Sequence, residues 1–125
     1  MGVVLLDSSF LIALFTNNDL HHQSAVEANP GQSKLIASTI TLSEVMAGAF
    51  SARIEKLVEP LLERTINEFI SVDQAIARES GRIRAENGLK LPDAIICATA
   101  LVHKAELWTF DGRLAKATPG ARLLA

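Results

Sequence analysis

The 125-residue sequence predicts an α/β fold with a mostly parallel central sheet covered by helices on both faces. Three observations carry that expectation. Short β-branched and leucine runs alternate along the chain with stretches of helical periodicity. At 49% hydrophobic and 21% charged residues, the chain can bury roughly two thirds of the surface its unfolded form exposes, so no disulfide or structural metal is needed as a staple. No repeat, low-complexity tract, charge block or linker interrupts the alternation, and residues 1–125 read as a single domain.

The elements follow in order. Val3 to Leu6 is a short apolar run that reads as a buried strand, and Ser8 or Ser9 is placed to cap the apolar helix that follows through Phe15. A polar helical stretch from Leu20 to Asn29 closes at Pro30-Gly31, and Lys34 to Ser38 is a second strand. Thr41 opens a helix through Val45, Met46 and Ala49. A further helix from about Ala52 to Asn67 puts Ile54, Leu57, Val58, Leu61 and Leu62 on one stripe, with a kink or break expected at Pro60. Phe69 to Val72 is a third strand. Asp73 then caps a helix to Asn87 that Gly88 ends, and Leu91-Pro92-Asp93 starts another to about Lys104. Leu107 to Phe110 is a fourth strand ending at Asp111, and Arg122 to Leu124 is a fifth.

Cysteine and charge narrow the setting. The single Cys97 cannot bridge internally, no Cys/His cluster has zinc spacing, and a reducing compartment fits. The first residues lack a basic segment, and Asp7 comes too early for a signal peptide or spanning helix, so a cytoplasmic protein with no membrane association is expected. The net charge of −2 looks wrong for a partner of nucleic acid until the acids are placed. Setting aside four carboxylates gathered in one site leaves 10 acidic against 12 basic residues, a balance of +2. A polyanionic substrate is therefore compatible with the composition.

Four acids stand out by position. Asp7 follows the first strand and Asp111 the fourth, at the carboxyl ends where open parallel sheets hold their sites. Glu44 and Asp93 lie in the first turns of the predicted helices beginning at Thr41 and Leu91. If these helices start at the same sheet edge, four carboxylates converge on one pocket, and such a cluster is either partly protonated or occupied by metal. Oxygen-only ligands point to Mg²⁺ or Mn²⁺, which can activate water and stabilise the departing oxygen of a phosphodiester. Ser9 and Thr109, two residues from Asp7 and Asp111, are placed to orient carboxylates or waters.

Each acid also has a purely structural use. Thr41-Leu42-Ser43-Glu44 is a capping-box pattern, Asp93 complements a helix dipole, Asp111-Gly112 is an ordinary turn pair, and Asp7 can cap the next helix through an Asx turn. Among the remaining candidates, His21-His22 reads as a solvated pair, His103 as a helix-end charge and Cys97 as a small core residue. Arg78, Arg82 and Lys90, with Arg84 nearby, offer phosphate contacts beside Asp93, although a solvated helix face explains them equally. With no tyrosine, one tryptophan and five phenylalanines mostly in apolar runs, base stacking is not expected to dominate binding.

The series Leu5-Leu6-Asp7-Ser8-Ser9, Leu42-Ser43-Glu44-Val45, Leu91 to Ala100 (Leu-Pro-Asp-Ala-Ile-Ile-Cys-Ala-Thr-Ala) and Leu107-Trp108-Thr109-Phe110-Asp111 resembles the PIN domain, most closely the VapC-type ribonuclease toxins. The resemblance covers essentially the whole chain. It implies a three-layer α/β/α sandwich with a parallel sheet of about five strands. It also implies a Mg²⁺- or Mn²⁺-dependent endoribonuclease acting on RNA, often a homodimer, held inactive by a cognate antitoxin of a type II module. Asp7, Glu44, Asp93 and Asp111 match the family's acidic quartet, and Ser9 its small hydroxyl residue. Two rivals remain: a PIN-like RNA-binding or scaffold module without cleavage, and an aspartate-based phosphatase or receiver. The latter is disfavoured because Ser9 occupies the second acidic position of the phosphatase pattern, and a receiver needs an acidic pair ahead of its acceptor.

Overall fold

The computed structural model describes residues 2–125. Five strands, β1 (Val3–Leu6), β2 (Lys34–Ser38), β3 (Glu68–Ile70), β4 (Glu106–Thr109) and β5 (Arg122–Leu123), form one sheet in the order β3-β2-β1-β4-β5. Every adjacent pair is parallel, so the connections must cross over, and seven helices make the crossings: α1 (Ser8–Phe15), α2 (His22–Glu27), α3 (Thr39–Ser51), α4 (Glu55–Thr65), α5 (Gln74–Asn87), α6 (Leu91–His103) and α7 (Gly112–Ala117). This is the predicted α/β/α sandwich.

Side chains alternate across the pleat and sort the core into two layers. Val4, Leu6, Ala37 and Trp108 face α1 to α4 and pack with Phe10, Leu11, Val45, Met46, Val58 and Leu62. Leu5, Ile36, Ile70 and Leu107 face the other way, against Ile76, Ile83, Leu114 and the α6 residues Ala94 to Ala98. In α6 the whole run Ala94–Ala100 is buried. A helix apolar on all sides must be covered on all sides, and the sheet and α5 do this.

Local chemistry explains most boundaries. The Asp73 side chain accepts from the Ile76 N–H at 2.9 Å and starts α5, and Gly88 ends it at φ 66°, a left-handed conformation that glycine adopts without a Cβ clash. Four expectations are corrected. The cap of α1 is Asp7 rather than Ser8 or Ser9. The helix expected from Thr41 begins at Thr39, because Ser38, the last residue of β2, accepts from the Ile40 N–H and caps it. This places Glu44 in the second turn and removes the capping-box role. α4 has no break at Pro60, where both Pro60 and Lys56 are exposed and water can serve the carbonyl left without its N–H partner. α7 has no counterpart among the predicted elements; Asp111-Gly112 is a helix start and not a plain turn. No described helix is long and apolar enough to cross a membrane.

Candidate active site

In the strand order, the chain steps from β1 to β2 and β3 on one side, then returns to β4 on the other side of β1. The crevice outside the carboxyl ends of β1 and β4 is thus the topological switch point. Asp7 leaves β1 there and Asp111 leaves β4.

Asp7 is 4% exposed and held from three directions. Its Oδ1 accepts from the Phe10 N–H at 2.9 Å and from Ser9 Oγ at 2.7 Å, while Thr109 Oγ1, from the neighbouring strand, donates to Oδ2. Ser9 Oγ also accepts from the Phe110 N–H at 3.2 Å, and Thr109 Oγ1 from the Asp111 N–H at 2.9 Å. Two hydroxyls, 3.3 Å apart, therefore staple the β1–α1 junction to the β4–α7 junction and fix the Asp7 rotamer. Every one of these donors is neutral. Burial pushes the Asp7 carboxyl above its ordinary range, against the pull of Thr109, Phe10 and Ser9, and the charge of Asp111 pushes the same way.

Asp111 is exposed and caps α7, its Oδ1 accepting from the N–H groups of Arg113 at 3.0 Å and Leu114 at 3.2 Å. Asp93 lies in the first turn of α6, partly buried. Burial raises its carboxyl too, the charge of Asp111 adds to that, and Lys90 and Arg113 offset part of it. The Arg113 guanidinium donates to the Gly88 carbonyl at 3.2 Å, which ties the end of α5 to α7 at this edge. Glu44 is exposed on α3 and joins through Ser8, whose Oγ donates to Oε1 at 3.1 Å.

The structure thus links Asp7, Ser9, Thr109 and Asp111 in one hydrogen-bonded unit, sets Asp93 within reach of the Asp111 charge, and connects Glu44 from the side. Among the described residues, no three His, Cys, Asp or Glu side chains close round one point as a metal centre would require. Three of the acids have oxygens already engaged, Asp7 on Ser9, Phe10 and Thr109, Asp111 on the α7 cap and Glu44 on Ser8. The donor set nevertheless suits a hard cation. All four are carboxylates, and none forms an ion pair with a Lys, Arg or His among the described residues.

Thr109→Val keeps the side-chain shape while leaving Asp7 Oδ2 and the Asp111 N–H without that partner. The expected loss is about 1–3 kcal/mol, read as a lower denaturant midpoint at unchanged slope; an unchanged midpoint would show that the staple carries no stability.

Two features at the rim had no signal in the spacing. His21, expected to be solvated, stacks on Phe110 with ring centroids 4.4 Å apart and planes 13° apart, and Phe110 stacks in turn on Phe10. His22 is not simply solvated either: its Nδ1 pairs with the Ala13 carbonyl oxygen at 2.8 Å. Arg113 reaches this edge only because α7 exists, and a helix of 6 residues leaves too little periodicity in the sequence to signal it.

The model of the PIN domain family matches residues 4–118. A chain of a toxin–antitoxin complex from Klebsiella pneumoniae is 39% identical over 95% of both chains, with a TM-score of 0.79. A chain of the DNA-bound VapBC of Salmonella typhimurium is 25% identical, with 98% of this chain and 97% of that one covered and a TM-score of 0.75. VapC20 of Mycobacterium tuberculosis, described as a sarcin-ricin loop cleaving toxin, shares the fold at 18% identity, covering 95% of this chain and 98% of its own, with a TM-score of 0.76. No curated protein matches the chain in sequence.

Proposed function

The chain belongs to the PIN domain family, and from that membership we propose that residues 1–125 form one nuclease domain, a divalent-metal-dependent endoribonuclease that is the toxin of a type II VapBC toxin–antitoxin pair. The observation that carries the reading is Asp7: a buried carboxylate, locked by neutral donors at the switch point, with Asp111 close enough to raise it further. A carboxylate built into such a position without a cationic partner is poorly placed for stability, and well placed to receive a cation.

In this reading Asp7, Asp93, Glu44 and Asp111 hold Mg²⁺ or Mn²⁺. A cation held there would neutralise the cluster and supply Lewis-acid chemistry toward a water and the leaving oxygen of the phosphodiester. The chain's own part is orientation. Ser9 and Thr109 hold the Asp7 oxygens in place, Asp111 anchors the start of α7, and Asp93 has both oxygens without a hydrogen bond from another described side chain. A proton on Asp7 or Asp93, which burial favours, must leave before either acts as a ligand, so activity rises with pH through the acid range. The partners in this reading are RNA, a cognate antitoxin and a second copy of the chain in a homodimer, and the setting is the cytoplasm.

The test is incubation of purified, partner-free protein with a structured RNA pool, in Mg²⁺ or Mn²⁺ and in EDTA, beside Asp93→Asn. Cleavage is expected only with metal, and is expected to be lost in the variant. Cleavage that persists in EDTA, or in Asp93→Asn, removes the proposed mechanism; no cleavage in any condition removes the ribonuclease assignment in favour of a binding module.

A further inference from the structure

We propose that the groove between the α5–α6 turn and α7 binds the phosphodiester backbone of the RNA beside the acidic site, with Arg113 and Lys116 as its phosphate contacts and Lys90 at its rim. The inference rests on the ribonuclease reading and adds to it the path of the substrate.

The groove is lined by Asn87, Leu89, Arg113, Lys116 and Ala117. Arg113 and Lys116 stand one turn apart on α7, both exposed, so their side chains share a helix face. Lys90, also exposed, sits at the cap position of α6. The hydrogen bond to the Gly88 carbonyl fixes the Arg113 guanidinium at the wall of the groove, and no carboxylate among the described residues is ion-paired with Arg113, Lys116 or Lys90. Arg82, which the sequence offered for this role, is instead clamped by Glu79 and Glu86 on the same helix.

Position gives these cations their use. The Arg113 backbone N–H donates to the Asp111 carboxylate at 3.0 Å, and Lys90 stands at the cap of the helix whose first turn carries Asp93, so the groove opens alongside the acids. A polyanion approaching four carboxylates is repelled; a row of uncompensated cations at their edge supplies the attraction and sets the direction of the strand. Phosphate contacts of this kind position a nucleic acid without reading its bases.

Binding of a short single-stranded oligouridylate is measured over a range of salt, in an Asp7→Asn background that leaves the probe intact. Removing two phosphate contacts with Arg113→Gln and Lys116→Gln should flatten the slope of log affinity against log salt by about 1.4, since each contact to a single strand accounts for about 0.7. Lys116→Gln alone gives about half of that. Arg113→Lys keeps the slope, and Lys56→Gln, on α4 across the sheet, leaves it unchanged. An unchanged slope in the double variant, an equal loss in Lys56→Gln, or no binding by the parent overturns the proposal. A wild-type protein that shows this slope yet leaves RNA intact with Mg²⁺ and Mn²⁺ keeps the groove and removes the nuclease reading. One that cuts RNA while the double variant's slope is unchanged removes the groove alone.

Discussion

Asp7→Asn is expected to lower RNA cleavage by about 100-fold or more, since even outer partners of a metal ligand are worth about 10–100-fold, and at the same time to make the metal-free protein more stable near neutral pH. The two effects have one cause. Burial raises the Asp7 carboxyl in the folded chain above its unfolded value, so the native state holds its proton more tightly than the unfolded state does. Stability from this group is then full at low pH, and falls as pH rises from the ordinary carboxylate range through the folded value. Asparagine removes that slope. It also fits: its oxygen can keep the bonds from Phe10 N–H and Ser9 Oγ, and its amide can donate to Thr109 Oγ1, which is free to turn its own proton toward Ser9 at 3.3 Å. Thermal melts of both proteins in EDTA across pH check the claim. A variant melting below wild type at neutral pH would show that Asp7 is a net stabilising residue, and one that still cuts RNA would remove it from the site.

Leu5→Ala should destabilise the fold by about 2–5 kcal/mol, a large share of the roughly 5–15 kcal/mol that holds a typical domain together. Leu5 is fully buried in β1, the central strand, and packs among Ile36, Leu107 and the face of α6. With neighbours held on both sides by the sheet, the site cannot collapse to fill the void. Leu57, exposed at 68% on α4, is the control: Leu57→Ala should change stability by less than about 0.5 kcal/mol. Denaturant unfolding measures both, and equal small effects would mean that the two-layer core is wrongly drawn.

Much of this was legible beforehand because it rests on local chemistry. The runs Val3–Leu6 and Lys34–Ser38 are strands because buried parallel strands are continuously apolar, and both bounds match. Asp73 and Gly88 bracket α5 because each satisfies groups the helix itself leaves unpaired, or a backbone shape that other residues resist. The positions of Asp7 and Asp111 after strands were equally readable. Where local patterns competed, the sequence misled: Ser38 and Thr41 are both good caps, and only the end of β2 decides that the helix starts from Ser38.

The sequence by itself therefore determined the element types other than α7, the α/β class and the candidate acids, since propensity, capping and periodicity act over a few residues. Tertiary structure alone decided what those acids meet beyond their own turns. The Thr109 hydroxyl reaches Asp7 across 102 positions, Phe110 N–H reaches Ser9 across 101, and His21 finds Phe110, because β1 pairs with β4. It also decided that Glu44 binds Ser8 rather than its own helix start, which Ser38 caps, that Arg82 is tied up, and that Arg113 reaches the Gly88 carbonyl. Such pairings depend on the strand order, which is fixed by the packing of the whole sheet and leaves no mark in the spacing of any single segment.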